Sequence, residues 1–413
     1  MRALRWNDGL ILVIAWCSAV GLGRAAQYPP ANHLGNNVIL AANDVIWGNH
    51  TNVGRFVVPP GTTVTVRSFD GSAPSGMLNV HAVDIVVSGT LRALGAGYWG
   101  GAGGGAGGGA SVYGFTGVLL PGHGGVGGSG LGLAGGGSTG ADGWGAFAFS
   151  APGGNGAPGG AGGGPGAGLS GGGGIAVWSG QGGPGNIGDD GGYLIRAGNG
   201  DHTTDVNVFA GSGGGGGGGG AGGGAGLPGV VGKIVGGGGG GGATGANGGG
   251  AIKLFADNSL RVVGTVDTRG ANNGIGGNTG ADGIITLTSA MGGQGANGAS
   301  SSMVPGTGAG GLPGHGLADR ATGLGYNGGN GARGGRGGGG GILLHCTTDD
   351  GMDLTSGTLD ARGGGGNVVS GGTVKIFFAG TDPTTGTVTI LAGRLFTFQG
   401  AFVLPAQRWE LYR

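Results

Sequence analysis

Apolar and polar residues alternate with period two at four places along the chain, and each time the alternation ends in a Gly-Thr step. The first copy runs from Leu78 to Gly95, the second from Ile252 to Gly270 and the third from Ile342 to Gly363; a looser fourth runs from Val374 to Ile390. Period two places every second side chain on one face of a strand. Leu78, Val80 and Ala82 then share a face, as do Ile252, Leu254 and Ala256, and Ile342, Leu344 and Cys346. The steps Gly89-Thr90, Gly264-Thr265, Gly357-Thr358 and, in the fourth copy, Gly386-Thr387 supply corners between strands, because glycine accepts backbone angles that branched residues refuse. Strand, corner and strand, repeated, predict an all-β chain folded as a parallel β-solenoid, in which rungs bury apolar faces only by stacking.

Two flanking segments read as ends of that stack. Val53 to Val66 alternates, turns at Pro59-Pro60-Gly61 and alternates again, which suits an N-terminal cap. Arg394 to Leu404 closes the other end, and Asn36 to Trp47, with little clear period, is assigned to the first cap. The resulting division is 1–25 signal peptide, 26–97 cap and first rungs, and 98–250 glycine-rich lobes with short strands. Residues 251–290 are central rungs, 291–340 a further glycine-rich lobe, and 341–413 the C-terminal rungs and cap.

Composition changes this picture mainly through glycine. Of 413 residues, 125 are glycine, gathered chiefly in tracts at about 98–175, 211–250 and 291–340. Leu-Pro-Gly recurs at 120–122, 227–229 and 312–314, and Thr-Gly-Ala-Asp/Asn-Gly at 139–143, 244–248 and 279–283, so the tracts are duplicated units. Two readings stay open for them. One is a flexible linker; the other is packed polyglycine-II helices with three residues per turn, close enough to share backbone hydrogen bonds. Only 15 prolines and glycine in runs exclude collagen, and three lysines with one glutamate argue against long helices. Nineteen basic groups balance nineteen acidic ones, which gives no electrostatic reason to expect nucleic acid or an anionic membrane.

The first 25 residues carry an export signal: Arg2 and Arg5, an apolar stretch from Leu10 to Leu22, and Gly23-Arg24-Ala25 as a small-x-small cleavage site before Ala26. The apolar run is shorter than the roughly 20 residues of a membrane span, and no later segment is long and apolar enough to cross. Once the signal is removed, Cys346 is the single cysteine, so no internal disulfide can form. The expected location is the cell exterior or cell surface.

Gly-x-Gly-x-x-Gly matches repeatedly by chance in such a chain and carries no dinucleotide inference. Gly188-Asp189-Asp190, Gly122-His123-Gly124 and Gly314-His315-Gly316 resemble motifs of pectinase-like β-helix glycosidases, which work with paired carboxylates. Both histidines follow Leu-Pro-Gly, however, and read as turn residues. Asp142 and Asp282 lie in segments similar to single turns of the calcium-binding nonapeptide repeat, whose ions are shared between tandem turns; here the turns are isolated, which favours turn capping. Arg333 and Arg336 sit in an arginine-glycine pattern without the aromatics of an RNA-binding box. Asp267 with Arg269, and Asp360 with Arg362, would form a charge ladder on stacked rungs, expected at the surface and of small energetic value. Cys346 shares a slot with Ala82 and Ala256 and reads as a small core residue; His345 shares one with His81 and Phe255, against metal ligation. No catalytic residue, metal or cofactor is assigned.

The export signal, the rung ends of the form Gly-Thr-apolar-Asp-x-Arg-Gly and the glycine lobes together resemble secreted bacterial glycine-rich β-helix surface proteins, over roughly residues 36–395. The resemblance implies a non-enzymatic structural or adhesive protein, with surface polysaccharide or a second copy of itself as partner. Tyr98, Trp99, Tyr113, Trp144 and Trp178 are candidates to stack on sugars, and equally to plug gaps in the lobes. The alternative is a carbohydrate-active β-helix enzyme, a polysaccharide hydrolase or lyase.

Overall fold

The computed structural model describes residues 25–72, 74–102, 106, 208–213, 243–272 and 330–400, and six short strands elsewhere by backbone alone. The all-β expectation holds. Among the described residues the helices are two short 3-10 turns, Gly364–Gly366 and Pro383–Thr385, and none is long and apolar enough to cross a membrane. Two parallel sheets carry the framework. The narrower one orders its strands Gln27–Tyr28, Val45–Ile46, Thr63–Val66, Thr90–Arg92, Thr265–Asp267, Thr358–Asp360 and Thr389–Leu391. The wider one orders Ala31–Asn32, Gly48–Val58, Met77–Val87, Ala251–Val262, Ile342–Asp349, Thr373–Ala379 and Arg394–Gln399, with Val38–Ile39 and Met352–Asp353 paired beside this path. In both, spatial order follows chain order.

Registers for the first three copies match the sequence alignment. Leu78, Ile252 and Ile342 stand in one row with Val374, and Ala82, Ala256 and Cys346 in another with Phe378. On the narrow sheet Thr90, Thr265 and Thr358 form a row. These rows build the main core, in which Leu78, Ile252, Leu254, Leu91, Val266 and Leu359 are all fully buried.

Four departures have physical causes. The fourth copy slips by two residues: Thr358 pairs with Thr389, not Thr387, because the 3-10 turn Pro383–Thr385, capped by the Asp382 carboxylate accepting from the Thr384 amide at 2.8 Å, lengthens the corner. The segment read as an N-terminal cap is a further full copy, with Gly48 beside Leu78 and Thr63 beside Thr90. Third, part of the outer face of the wide sheet is also buried. Val208, Ala251, Phe255, Leu343 and Phe377 pack there as a second core, so the central and C-terminal strands of this parallel sheet are covered on both sides at that level. His81, Phe255, His345, Phe377 and Phe398 form one row across it. The Phe377 and Phe398 rings stack at 4.6 Å, and burial pushes the His345 imidazole below its ordinary range.

Fourth, the Asp-Arg corners are less exposed than expected. Asp267 and Asp360 are 3% and 5% exposed. Each accepts from the arginine two residues on, at backbone N, Nε and Nη2; for Asp267 these distances are 3.1, 2.9 and 2.8 Å. Arg92 approaches Asp267 at 3.8 Å and Arg269 approaches Asp360 at 3.5 Å, linking successive rungs. The carboxylate contacts raise the pKa of both Arg269 and Arg362 further.

Glycine-rich segments pack against one side of these sheets with a different repeat. The amides of Ala243, Ala246 and Gly249 donate to the carbonyls of Ala332, Gly335 and Gly338, at 2.8, 2.9 and 2.8 Å. The amides of Gly245 and Gly248 donate to the carbonyls of Gly101 and Tyr98, both at 2.8 Å. Bonds to one neighbour thus recur every three residues, whereas a strand meets one neighbour every two. At Gly249, Gly337 and Gly340 an added Cβ would lie under 3.0 Å from a neighbouring backbone carbonyl, so the approach itself requires glycine. Asn247, in the middle Thr-Gly-Ala-Asn-Gly unit, accepts the Gly100 amide at 3.1 Å, a cross-segment bond in place of a turn cap.

Candidate functional site

Three strand pairings of the wide sheet break register at neighbouring levels: between His50 and Val53, between Ala256 and Ser259, and between Cys346 and Asp349. Each break adds residues that cannot join the ladder and re-aims their side chains. Stacked, they form a polar ridge. Thr347 and Thr348 donate through their hydroxyls to the Asp257 carbonyl, each at 2.8 Å, while Asn258 and Ser259 donate to the Asp84 carboxylate. Those bonds, Ser259 foremost, hold Asp84 below the usual carboxylate range.

Beside the ridge lies a cavity of about 370 Å³ whose lining includes Leu34, Asn52, His81, Val83 and Asp257. His81 Nε2 and Asp257 Oδ1 are 2.9 Å apart with both side chains partly exposed, so the pair adds little to stability and remains available to a ligand. Leu34 is 80% exposed and Val83 46%, which gives the groove an aliphatic rim. Leu34 and Asn52 hold left-handed backbones, φ 52° and 51°. For leucine that conformation costs about 1 kcal/mol or more. It is fixed by Asn32, whose Oδ1 accepts from the Leu34 amide at 3.0 Å and from Asn52 Nδ2 at 3.1 Å.

Behind this wall, His50 is buried, with Nδ1 at 2.9 Å from His33 Nε2 and Nε2 at 3.2 Å from the Trp47 carbonyl. A carbonyl only accepts, which assigns the His50 proton to Nε2 and makes His33 Nε2 the donor in the pair. Burial brings His50 down to about 4 from the ordinary 6.5. Above pH 6.5 both folded and unfolded states are neutral here. As pH falls from 6.5 toward 4 the unfolded chain takes up the proton first, so stability is lost, by roughly 2 kcal/mol. Urea midpoints at pH 7 and pH 4.5 should therefore diverge less in His50→Gln than in the parent; an identical pH profile in both would contradict the assignment.

The sequence candidates distribute as follows. Tyr98 and Trp99 are half-buried and pack on Phe69, with ring centroids 5.2 and 5.4 Å away. Trp99 Nε1 donates to the Phe69 carbonyl at 2.8 Å, and burial raises the Tyr98 phenol pKa. Tyr113 ends the strand Ser111–Tyr113, and His315 begins His315–Leu317; their side chains lie outside the described residues. Trp144, Trp178, Asp142, Asp282, Asp189, Asp190 and His123 also lie outside them. Cys346 is buried, and burial pushes its thiol up, away from the reactive thiolate. Among the described residues no three of His, Cys, Asp or Glu gather as a metal site.

The groove itself escaped sequence reasoning because His81 and Asp257 are 176 residues apart. One signal did exist: the second copy has one more residue between Ala256 and Gly264 than the first has between Ala82 and Gly89, the mark of a bulge. Comparison with protein-family models, curated proteins and solved structures returns no match for this chain.

Proposed function

We propose that the protein is an exported, non-enzymatic β-solenoid of the cell surface or its surroundings that binds polysaccharide in the groove beside the stacked bulges. The observation that carries the binding reading is the make-up of that groove. A sugar ring presents hydroxyls at its edge and C–H groups on its faces; Asp257, His81 and Asn52 match the first, and Leu34 and Val83 the second. The alternation of the chain between two parallel sheets supports the solenoid, each pass adding one strand to each. The three-residue hydrogen-bond step supports polyglycine-II packing in the flanking segments. Such a frame is held largely by backbone hydrogen bonds, as suits a structural or adhesive role.

Sedimentation with a panel of insoluble and immobilised polysaccharides, with reducing-end release measured in the same tubes, tests the reading. Binding without release is expected, weakened about tenfold or more by the double substitution His81→Ala with Asp257→Ala. Release of reducing ends that Asp257→Asn, or Asp189→Asn with Asp190→Asn, abolishes would establish the carbohydrate-active enzyme instead.

A further inference from the structure

The first strand of the narrow sheet, Gln27–Tyr28, is held in place by a buried carboxylate. Asp44 is 3% exposed. Its Oδ1 accepts from the Ala26 backbone nitrogen at 2.9 Å and its Oδ2 accepts from the Ala41 amide at 2.7 Å; burial, with the Asp44 carboxylate, raises the pKa of the Tyr28 phenol. Among the described residues no arginine, lysine or histidine pairs with it. A buried carboxylate answered only by neutral donors is incompletely compensated, since burying a charge without an opposite charge is costly. The nitrogen that Asp44 contacts belongs to the residue immediately after the small-x-small sequence Gly23-Arg24-Ala25.

We propose that hydrolysis of the Ala25–Ala26 peptide bond creates the working N-terminus, and that the new α-ammonium of Ala26 forms an ion pair with the buried Asp44 carboxylate. One water balances the step: the Ala25 carbonyl carbon keeps the water's oxygen and leaves as a carboxylate, and the Ala26 nitrogen takes both of the water's protons and becomes an ammonium. The cut is made by an endopeptidase of the export pathway, and this inference rests on the export reading. Ala26 is itself exposed, which leaves the scissile bond open to such an enzyme. Before the cut Ala26 offers Asp44 one neutral N–H; afterwards it offers three charged donors at the same nitrogen, already 2.9 Å away. The Ala26 carbonyl accepts from the Val45 amide at 2.9 Å, so the charge pair and the first ladder bond are fixed together. A cut one residue to either side would place the ammonium on a nitrogen that Asp44 does not contact.

The test has two arms. The full chain is produced in a secreting bacterial host and the first residue of the exported protein is read by mass spectrometry; Ala26 is expected, and any other first residue overturns the processing site. Separately, protein beginning at Ala26 and protein retaining Ala25 are released from a fusion that leaves a native first residue. Each is prepared with Asp44 and with Asp44→Asn. Retaining Ala25 should lower the melting temperature by several degrees with aspartate present and leave it unchanged with asparagine. An equal change in both backgrounds overturns the ion pair, whatever the host does. Retention of Met1 in the host together with coupling in the second arm overturns export while upholding the pair.

Discussion

Gly249→Ala is expected to destabilise the protein by about 4 kcal/mol or more, a large effect for one methyl group. The new Cβ would lie under 3.0 Å from the Thr268 carbonyl oxygen and from the Gly340 amide nitrogen, both backbone atoms with no rotamer to yield. Nor can Gly249 retreat. Its amide donates to Gly338 and its carbonyl accepts from Gly211, at 2.8 and 2.7 Å, so relief on one side breaks a bond on another. Overpacking costs roughly 1–3 kcal/mol and each orphaned buried amide about 1–3 more. Gly386→Ala is the control: its Cβ would find only the Thr355 hydroxyl at 3.9 Å, and its φ is −91°. That change should be neutral or stabilise by up to about 1 kcal/mol. Urea unfolding of the two variants checks the contrast, and equal midpoints would refute close backbone packing at Gly249.

The second large effect is expected at the buried corner. Asp267→Ala removes the acceptor of three bonds from Arg269 and the nearest opposite charge to Arg92, at a cost of about 3 kcal/mol. Arg269 retains Asp360 at 3.5 Å, which keeps the loss below that of a wholly stranded charge. Asp257→Ala, which removes an exposed carboxylate from the groove, should cost under about 0.5 kcal/mol. Thermal and urea unfolding of both variants give the comparison; a small loss for Asp267→Ala would mean that solvent screens the corner.

These cases show which parts of the molecule were legible in its sequence. Rows such as Leu78, Ile252 and Ile342 could be aligned because their side chains repeat with period two and end on a Gly-Thr corner. The additional N-terminal copy was harder to see because Gly48 stands in the row that Leu78 would otherwise announce. Alternation also misleads where a sheet is covered twice: Leu343 and Phe377 point away from the main core and are nonetheless fully buried. Partner choice among the glycine segments left almost no trace, since a residue without a side chain carries no mark of its neighbour. Only the duplicated unit containing Thr244 and Asn247 hinted that these segments occupy fixed places. The groove depends on register breaks in separate copies and on residues far apart in the chain, so no local window contains it.

The adjacency of Met77–Val87 and Ala251–Val262 also sets an order of events during folding. All other successive strand pairs of the wide sheet close over shorter stretches of chain, whereas His81 and Asp257 meet across 176 residues. Closing a loop of that length costs roughly 4–5 kcal/mol of chain entropy before any contact repays it. The segments on either side of this seam can form their local pairings first, and joining them is the slow step. Until it happens the edges of both strands stand open, each a template for the other. In a concentrated refolding mixture a neighbouring molecule offers the same complementary edge, so intermolecular exchange is expected to compete with the native fold at this seam first.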